Sequence, residues 1–203
     1  MKRIAQMSIT AIVLIAIGAV VVLTIMWGVS KYNGFVRLDK DADRAWGNVA
    51  SAYQRRADLI PNFVETVKGA ANFEKSTLTE ITELRSQAGQ AKIDVSNAKS
   101  IEQIEAAGAS MSSALSRLLV IVENYPELKA TQNFLAFQDE LAGTENRVKW
   151  ERDQYNEIVK SYQVGVSTIP GVFIARMGGF APDKHKMFQA ETGAENAPKV
   201  SFE

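Results

Sequence analysis

The longest apolar stretch of the chain is residues 4–30, IAQMSITAIVLIAIGAVVVLTIMWGVS, which contains no charged side chain. As an α-helix this stretch rises about 40 Å, more than the roughly 30 Å thickness of the hydrocarbon core of a bilayer. Trp27 and Tyr32 lie at its carboxyl end, where aromatic side chains anchor transmembrane helices at the membrane surface. The pattern therefore predicts a short leader and a transmembrane anchor in residues 1–30.

Two other interpretations of this stretch are less consistent with its length. A cleaved signal peptide has an apolar region of about 7 to 15 residues followed by small residues at the cleavage site. Here the apolar run passes the small-residue segment Ala16-Ile17-Gly18 and continues to Ser30. A buried core helix is rarely this long when the rest of the chain is polar. A permanent anchor is thus the favoured interpretation.

The side of the membrane is predicted from the charges that flank the anchor. Lys2 and Arg3 precede it, but Lys31, Arg37 and Lys40 follow it, so the count of charges does not decide the orientation. Positive charge at the start of a first hydrophobic segment favours a cytoplasmic amino terminus, and long following domains translocate largely regardless of their charge. We therefore expect a single-pass protein with an extracytoplasmic domain.

Beyond the anchor, apolar residues recur in steps of three and four, the spacing of one face of an α-helix. The first stripe continues directly from the membrane segment, so the anchor and the first domain helix are predicted to be one rod that ends at Pro61. Further stripes predict helices over residues 62–91, 101–125 and 127–166, with a loop at 92–100 capped by Ser100 and a stop at Pro126. The first stripe consists of Phe35, Leu38, Ala42, Ala45, Val49 and Ala52.

This pattern predicts an all-α protein: a transmembrane helix followed by an elongated antiparallel bundle of about four long helices over residues 31–170. The regular stripe of residues 101–125 is also typical of a coiled-coil seam. Residues 171–203 differ, because glycines and prolines interrupt an otherwise apolar tail. We expect an irregular tail with a short helix at 173–178 and an extended end at 198–203, which either covers its own bundle or binds another molecule.

Composition removes several classes of function. The chain has 23 basic and 23 acidic residues, so no basic field is available to attract nucleic acid. Cysteine is absent, which excludes disulfides, thiol catalysis and zinc–thiolate sites. We therefore expect no nucleic-acid partner, and packing between helices has to stabilise the domain.

Three segments resemble the LemA family of bacterial membrane proteins: RRADLIPNFVETVKG at 55–69, YPELKA at 125–130 and ELAGTENRV at 140–148, with Tyr155-Asn156 after them. The resemblance covers nearly all of the chain after the anchor. It implies one helix in the bacterial inner membrane and an antiparallel helical domain, but no catalytic reaction and no cofactor. Asn72-Phe73-Glu74 stands where family members often have a histidine before the glutamate, so a metal role at this position is not implied.

The carboxylates along the helices raise the possibility of a two-metal site in the bundle. Such a site needs a Glu-x-x-His pair on each of two helices, whereas His185 in the tail is the only histidine of the sequence. The same residue would have to serve any nucleophilic triad, and its Asp-Lys-His-Lys context predicts a solvent-facing side chain. We therefore expect no metal and no cofactor.

The candidate functional residues are polar side chains at the helix junction near Pro61 and at the polar interruption of the last helix. In an antiparallel bundle they could meet as a layer in which arginines pair with carboxylates. Such a layer either sets the register between helices or forms a partner surface. Its candidate members are Arg55, Arg56, Asp58, Asn62, Glu65, Thr144, Glu145, Asn146 and Arg147.

The sequence thus predicts a membrane-anchored helical scaffold or adaptor that presents a long helical surface to the lipid bilayer or to membrane and cell-envelope proteins. Self-association into a homo-oligomer is expected, because a helix that rises from the membrane can present a second apolar seam to another copy. The alternative is a cell-envelope enzyme or enzyme subunit that uses the carboxylate and arginine layer. No catalytic constellation supports it, so a non-enzymatic role is preferred.

Overall fold

The computed structural model describes residues 9–70 and 73–189, except for the side chains of residues 69 and 70. All regular structure in these residues is helical, and the all-α prediction is confirmed. Four of the helices are long, as expected. The six helices are α1 (Ile9–Ala70), α2 (Lys75–Asn97), α3 (Ile101–Glu123), α4 (Pro126–Lys129), α5 (Gln132–Ser167) and α6 (Gly171–Gly178).

The chain forms two compact units, and α1 and α5 contribute residues to both. Unit 1 contains the described residues up to Ala42 together with Val159–His185. Unit 2 contains Asp43–Ile158 and the described residues from Lys186 onward.

Unit 2 is a bundle of α1, α2, α3 and α5 with up-down-up-down topology. Side-chain pairs between α1 and α2 run in opposite directions along the two helices, so these helices are antiparallel: Gln54 with Ser96, Asp58 with Lys92, and Glu65 with Arg85. The short 98–100 connection joins α2 to an antiparallel α3, where Ser100 caps the helix by accepting a hydrogen bond from the Gln103 amide at 3.3 Å. α5 returns along α1, and the rings of Phe63 and Phe137 stack 3.7 Å apart.

The prediction that the first helix ends at Pro61 is wrong, because α1 continues through this residue to Ala70. Proline inside a helix costs about 3 kcal/mol, since one hydrogen bond is lost and the ring crowds the preceding turn. Here the flanking side chains of Ile60, Phe63 and Val64 are at most 2% exposed. Full burial of each contributes about 1.5–3 kcal/mol, which is enough to offset the cost of the proline.

Two other helix boundaries differ from the predicted ones. The predicted loop at 92–100 is helical up to Asn97, because Val95 is buried against the bundle and extends the apolar face of α2. The last predicted helix is divided into α4 and α5 at residues 130–131, where the Thr131 hydroxyl accepts a hydrogen bond from the amide of Phe134. Pro126 follows the end of α3, as predicted, and occupies the first turn of α4.

In unit 2, Gly108 of α3 lies close to the buried ring of Tyr53 on α1. A Cβ atom added at Gly108 would lie 2.6 Å from the Cε1 atom of Tyr53. The Cβ atom of a real side chain essentially never approaches another atom this closely. Helices α1 and α3 therefore come this close only because residue 108 is glycine.

Phe188, near the end of the described part of the tail, packs on unit 2 of its own chain, which is one of the two possibilities that the sequence left open. Phe188 is 5% exposed and stacks on Trp46. The Asn156 side chain donates to the carbonyl of Phe188 at 3.0 Å and accepts from its amide at 2.8 Å. The extended end predicted for residues 198–203 lies outside the described residues.

Unit 1 has a small apolar core formed by α1, the end of α5 and α6. Its buried members are Phe35, Tyr162, Val166 and Ala175. Phe180 packs edge-on against Phe35, with ring centroids 5.9 Å apart. Gly179 caps the carboxyl end of α6, and its φ of +76° lies in the left-handed region that glycine adopts at helix ends.

The amino-terminal part of α1 fits a membrane anchor. Its large apolar side chains between Ile9 and Val29 are 39% to 82% exposed and have no protein core to cover them. Helix α3 is also long and apolar enough to cross a bilayer by length and composition, but its apolar residues Ile104, Met111 and Leu118 are fully buried in unit 2. The predicted continuation of the anchor into the first domain helix is confirmed by α1.

We predict that Gly108→Ala destabilises the bundle despite the better helix propensity of alanine. The new methyl group would push against the buried Tyr53 ring, and overpacking of this kind costs about 1–3 kcal/mol. Gly89→Ala in α2 is the matched control, because nothing lies within 4 Å of the Cβ position there. We expect this control to gain about 0.5–1 kcal/mol. Thermal unfolding of the full chain in detergent, followed by circular dichroism, measures both, and shifts of the same sign would contradict the packing argument.

Candidate functional site

A surface groove of about 590 Å³ lies between α1 and α5 in unit 2. Small side chains leave space between the helices, and charged side chains stand along both rims. Three of the nine candidate residues from the sequence line this groove. Its lining consists of Asn48, Ser51, Ala52, Arg55, Glu140, Gly143, Thr144, Arg147 and Glu151.

Each arginine of the groove stands beside a carboxylate. Arg55 on α1 approaches Glu140 on α5 at 3.7 Å, and both side chains are more than half exposed. Arg147 approaches Glu151 one helical turn away at 2.6 Å. The Glu151 side chain is only 4% exposed, so the Arg147 guanidinium compensates a carboxylate that has lost most of its hydration. The groove therefore combines solvent-exposed charges with one buried ion-paired group.

Thr144 forms a polar gap in the otherwise apolar stripe of α5. It is 5% exposed, and its hydroxyl donates to the carbonyl of Leu141 at 2.9 Å. The side chain is thus satisfied within its own helix and leaves room in the groove. The Arg147 guanidinium lies 4.8 Å from the centre of the exposed Trp150 ring, which orients the arginine by a cation–π contact.

Arg56 and Glu145 form a separate contact that ties helices together. The Arg56 guanidinium donates to Glu145 at 2.7 Å and to the hydroxyl of Ser112 at 3.2 Å. The Arg56 side chain is 12% exposed, whereas that of Glu145 is 52% exposed. One arginine therefore joins α1, α3 and α5, which is the geometry expected of a residue that sets helix register.

The remaining candidates lie elsewhere on the bundle. Asp58 and Glu65 form ion pairs with Lys92 and Arg85 of α2. Asn62 is exposed, and its backbone carbonyl accepts a hydrogen bond from the Thr66 hydroxyl at 3.1 Å. Asn146 is exposed on α5. The structure thus distributes the nine residues over the groove, the Arg56–Glu145 contact and the outer faces of the helices.

The nine candidate residues do not include Glu140 and Glu151 of the groove, although Glu151 interrupts the apolar stripe of α5. The interruption was the usable signal, because a carboxylate on a buried face needs a partner. Sequence reasoning also missed a polar cluster on another side of unit 2, where Arg152 donates to Glu105 at 3.0 Å and lies 4.7 Å from the centre of the Phe188 ring. Burial raises the pKa of Tyr53 beside this cluster.

The expectation that His185 faces solvent is wrong. His185 is 9% exposed in unit 1, and its Nε2 atom lies 2.8 Å from the carboxylate of the equally buried Asp39. Lys184 donates to the same carboxylate at 2.8 Å. Burial alone would raise the pKa of Asp39, but the hydrogen bonds from Lys184 and His185 outweigh it and lower that pKa. The run Asp-Lys-His-Lys looks exposed in sequence, and its other three residues are exposed, but the burial of His185 depends on a carboxylate far away in the chain.

His185 is also held by contacts that fix the position of this segment. Its ring lies edge-on to Tyr162, with centroids 5.1 Å apart, and its backbone carbonyl accepts from Gln163 at 2.9 Å. The Tyr162 hydroxyl donates to the carbonyl of Ala181 at 3.1 Å. We call the contact of Asp39 with Lys184 and His185 the clasp. Within the part of the chain that the structure describes, no group of three or more His, Asp or Glu side chains could hold a metal ion.

A family model described as the LemA family matches residues 45–202, more than half of the sequence and every residue of the groove. The chain belongs to the LemA family. The resemblance seen in the three sequence segments is therefore confirmed. The matched range begins after the apolar part of α1, so the anchor is inferred from the properties of its own residues.

Curated relatives carry two kinds of name. The chain is 25% identical over 169 residues to "Magnetosome protein MamQ" of Magnetospirillum gryphiswaldense, a match that covers 74% of this chain and 62% of the relative. It is 23% identical over 190 residues to "Magnetosome protein MamQ 2" of Paramagnetospirillum magneticum, covering 84% and 69%. It is 27% identical over 140 residues to "Protein LemA" of Metamycoplasma hominis, covering 69% and 61%. The chain thus spans about two thirds of the length of these LemA-like relatives.

We predict that Arg56 and Glu145 are energetically coupled and that Arg55 and Glu140 are not. Substituting each residue by glutamine, singly and together, gives a double-mutant cycle for each pair. A pair at 2.7 Å with one buried partner should show a coupling of about 1 kcal/mol, whereas an exposed pair at 3.7 Å should show at most a few tenths. The free energy of unfolding in urea measures both. Equal couplings for the two pairs would contradict the register role of Arg56.

Proposed function

We propose that this LemA-family protein is a membrane-anchored adaptor that holds a protein partner in the groove between α1 and α5. The observation that carries the proposal is the groove itself, which combines exposed charges of both signs with a floor of small residues. Ala52, Gly143 and Thr144 keep the floor open, so the backbone of a partner segment can approach the helices closely. Arg55 and Glu140 on the rims can then exchange their loose mutual contact for partner charges.

The geometry favours this binding role over the alternative of a cell-envelope enzyme. A carboxylate and arginine site for catalysis would need both groups open to a substrate. Arg56 instead donates hydrogen bonds to Ser112 and Glu145 inside the bundle. Arg147 likewise compensates the buried Glu151. These arginines support the helices, and the exposed rim of the groove is available for a partner.

The adaptor is held in the bacterial inner membrane by residues 9–30, and its domain lies on the extracytoplasmic side. The exposed apolar face of α1 supports the membrane segment, and Lys2 and Arg3 before it support the orientation. The partner is a membrane or envelope protein, or a second copy of the chain.

Photo-crosslinking in native membranes tests the groove. We predict that a photoreactive residue at the exposed Ser51 gives a discrete adduct, whereas the same residue at the exposed Ser86 on α2 gives none. Arg55→Glu should abolish the Ser51 adduct, because it reverses a rim charge whose side chain is 73% exposed and contributes little to stability. Arg85→Glu makes the same change on α2 and should leave the adduct intact. An adduct of twice the mass of the chain identifies a second copy as the partner.

Two outcomes would contradict the adaptor proposal. The first is labelling of the same molecules from Ser51 and Ser86, which would indicate random encounter in the membrane. The second is an adduct at Ser51 that persists unchanged in Arg55→Glu while the melting temperature of this variant equals that of the parent. The melting temperature separates loss of binding from loss of fold.

The orientation is tested by reporter fusions after Glu203. We predict that alkaline phosphatase, which is active only outside the cytoplasm, is active in this fusion, and that a reporter restricted to the cytoplasm is silent. The physical reason is the positive charge of Lys2 and Arg3 before the anchor. The reverse pattern of activities would place the domain in the cytoplasm.

A further inference from the structure

Helix α6 and Ile169, two residues before it, expose large apolar side chains to an unusual degree. Ile169 is 80% exposed, Phe173 62% and Met177 90%. Phe173 and Met177 are four residues apart and therefore lie one above the other on the same face of α6. A soluble protein rarely presents such side chains together unless another phase or molecule covers them.

The opposite face of α6 is fixed against α1 within unit 1. Gly171 and Ala175 are buried there, and the Cδ1 atom of Ile174 lies 3.9 Å from the Cβ position of Gly28. The Cβ position of Gly178 lies 2.9 Å from the ring of Tyr32. Glycines on both helices thus allow close contact, and the exposed face of α6 is held in a defined place along α1.

That place is the end of the membrane segment. The residues of α1 beside α6 run from Ile25 to Phe35, about 15 Å along the helix, and Lys31, the first charged residue after the apolar run, lies between them. The polar interface on each side of a bilayer has a thickness of several ångströms beyond the hydrocarbon core. If α1 spans the membrane, α6 lies at the depth where lipid tails meet headgroups.

We infer that α6 is a second membrane contact, which inserts Phe173 and Met177 into the interfacial layer of the same bilayer that α1 spans. This inference rests on the proposed function, because it requires that residues 9–30 of α1 span the membrane. The occupant of the exposed face is lipid, because this face is continuous with the lipid-facing side of α1: Ile25 and Val29, 60% and 55% exposed, line an apolar groove of about 380 Å³ together with Ile174 and Met177.

The charge beside the apolar face agrees with this assignment. Arg176 is exposed in the last turn of α6, next to Met177. At a membrane surface its guanidinium can bind lipid phosphate while its stem lies along the apolar layer. An apolar face bordered by a basic residue is typical of helices that lie in the plane of the interface.

Spin labelling of the full chain tests the inference directly. The chain has no cysteine, so single cysteines at Phe173, Met177, Val20 and Val164 can each carry a nitroxide without changes elsewhere. Val164 is the matched control, because it is also exposed, at 55%, and lies beside Gly165 in unit 1. The Cβ position of Gly165 is 3.4 Å from the ring of Phe35. Phe35 lies about 10 Å further along α1 than Gly28. The protein is reconstituted in vesicles of phosphatidylethanolamine and phosphatidylglycerol. Collisions with oxygen report lipid, and collisions with a water-soluble nickel chelate report water.

We expect the ratio of oxygen to nickel collisions at Phe173 and Met177 to be several-fold higher than at Val164 and to approach the ratio at Val20. High oxygen contact at Val20 with water-like ratios at Phe173 and Met177 would overturn the inference and leave the anchor intact. Water-like ratios at Val20 would overturn both. Protection of Met177 from both reagents, with dipolar broadening between labels, would show that a second copy covers this face and would also overturn the inference.

Discussion

The structure depends on the continuity of α1, whose 62 residues form one helix from the apolar segment into the bundle. In lipid the backbone has no hydrogen-bond partner other than itself, so residues 9–30 have to be helical. The same helix then changes from apolar on all sides to apolar on one stripe, beginning at Phe35 and continuing through Val49 to Val67. This buried stripe packs against α5 and α6 in unit 1, and against α2 and α5 in unit 2. Pro61 is tolerated because its neighbours contribute more by packing than the proline costs.

The charged side chains of this protein fix the register and position of the helices more than they contribute to the free energy of unfolding. Exposed ion pairs such as Asp58–Lys92 and Glu65–Arg85 contribute only a few tenths of a kcal/mol each, but they match only one register of the antiparallel helices. The buried carboxylates are different, because each would be costly without its cation. Glu151 has Arg147, and Asp39 has Lys184 with His185. These compensated groups define where the groove and the clasp lie, and they leave the exposed Arg55 and Glu140 available for other contacts.

Local periodicity made most of the fold predictable. The apolar run, the stripe beginning at Phe35, the cap at Ser100 and the stop at Pro126 depend on residues close in sequence. The errors concern interactions that periodicity does not contain. Pro61 was misjudged because its cost is offset by long-range burial, and His185 because its partner Asp39 lies on α1, far away in the sequence. The groove was found only in part: Arg55, Thr144 and Arg147 stood out as polar residues near a junction, whereas Glu140 joins them only through the pairing of α1 with α5. Which of the nine candidate residues contact one another became clear only from the distances between their side chains.

The clasp has a consequence for biosynthesis. Asp39 and Lys184 are separated by 145 positions, so the ribosome completes one end of this contact long before it makes the other. Contacts between such distant residues close a large loop and tend to form late. The hydrophobic amino-terminal segment therefore leaves the ribosome before α6 and the end of α5 have been synthesised. Unit 1 becomes complete only after His185 has been synthesised, when the returning chain packs beside an α1 helix that was made much earlier.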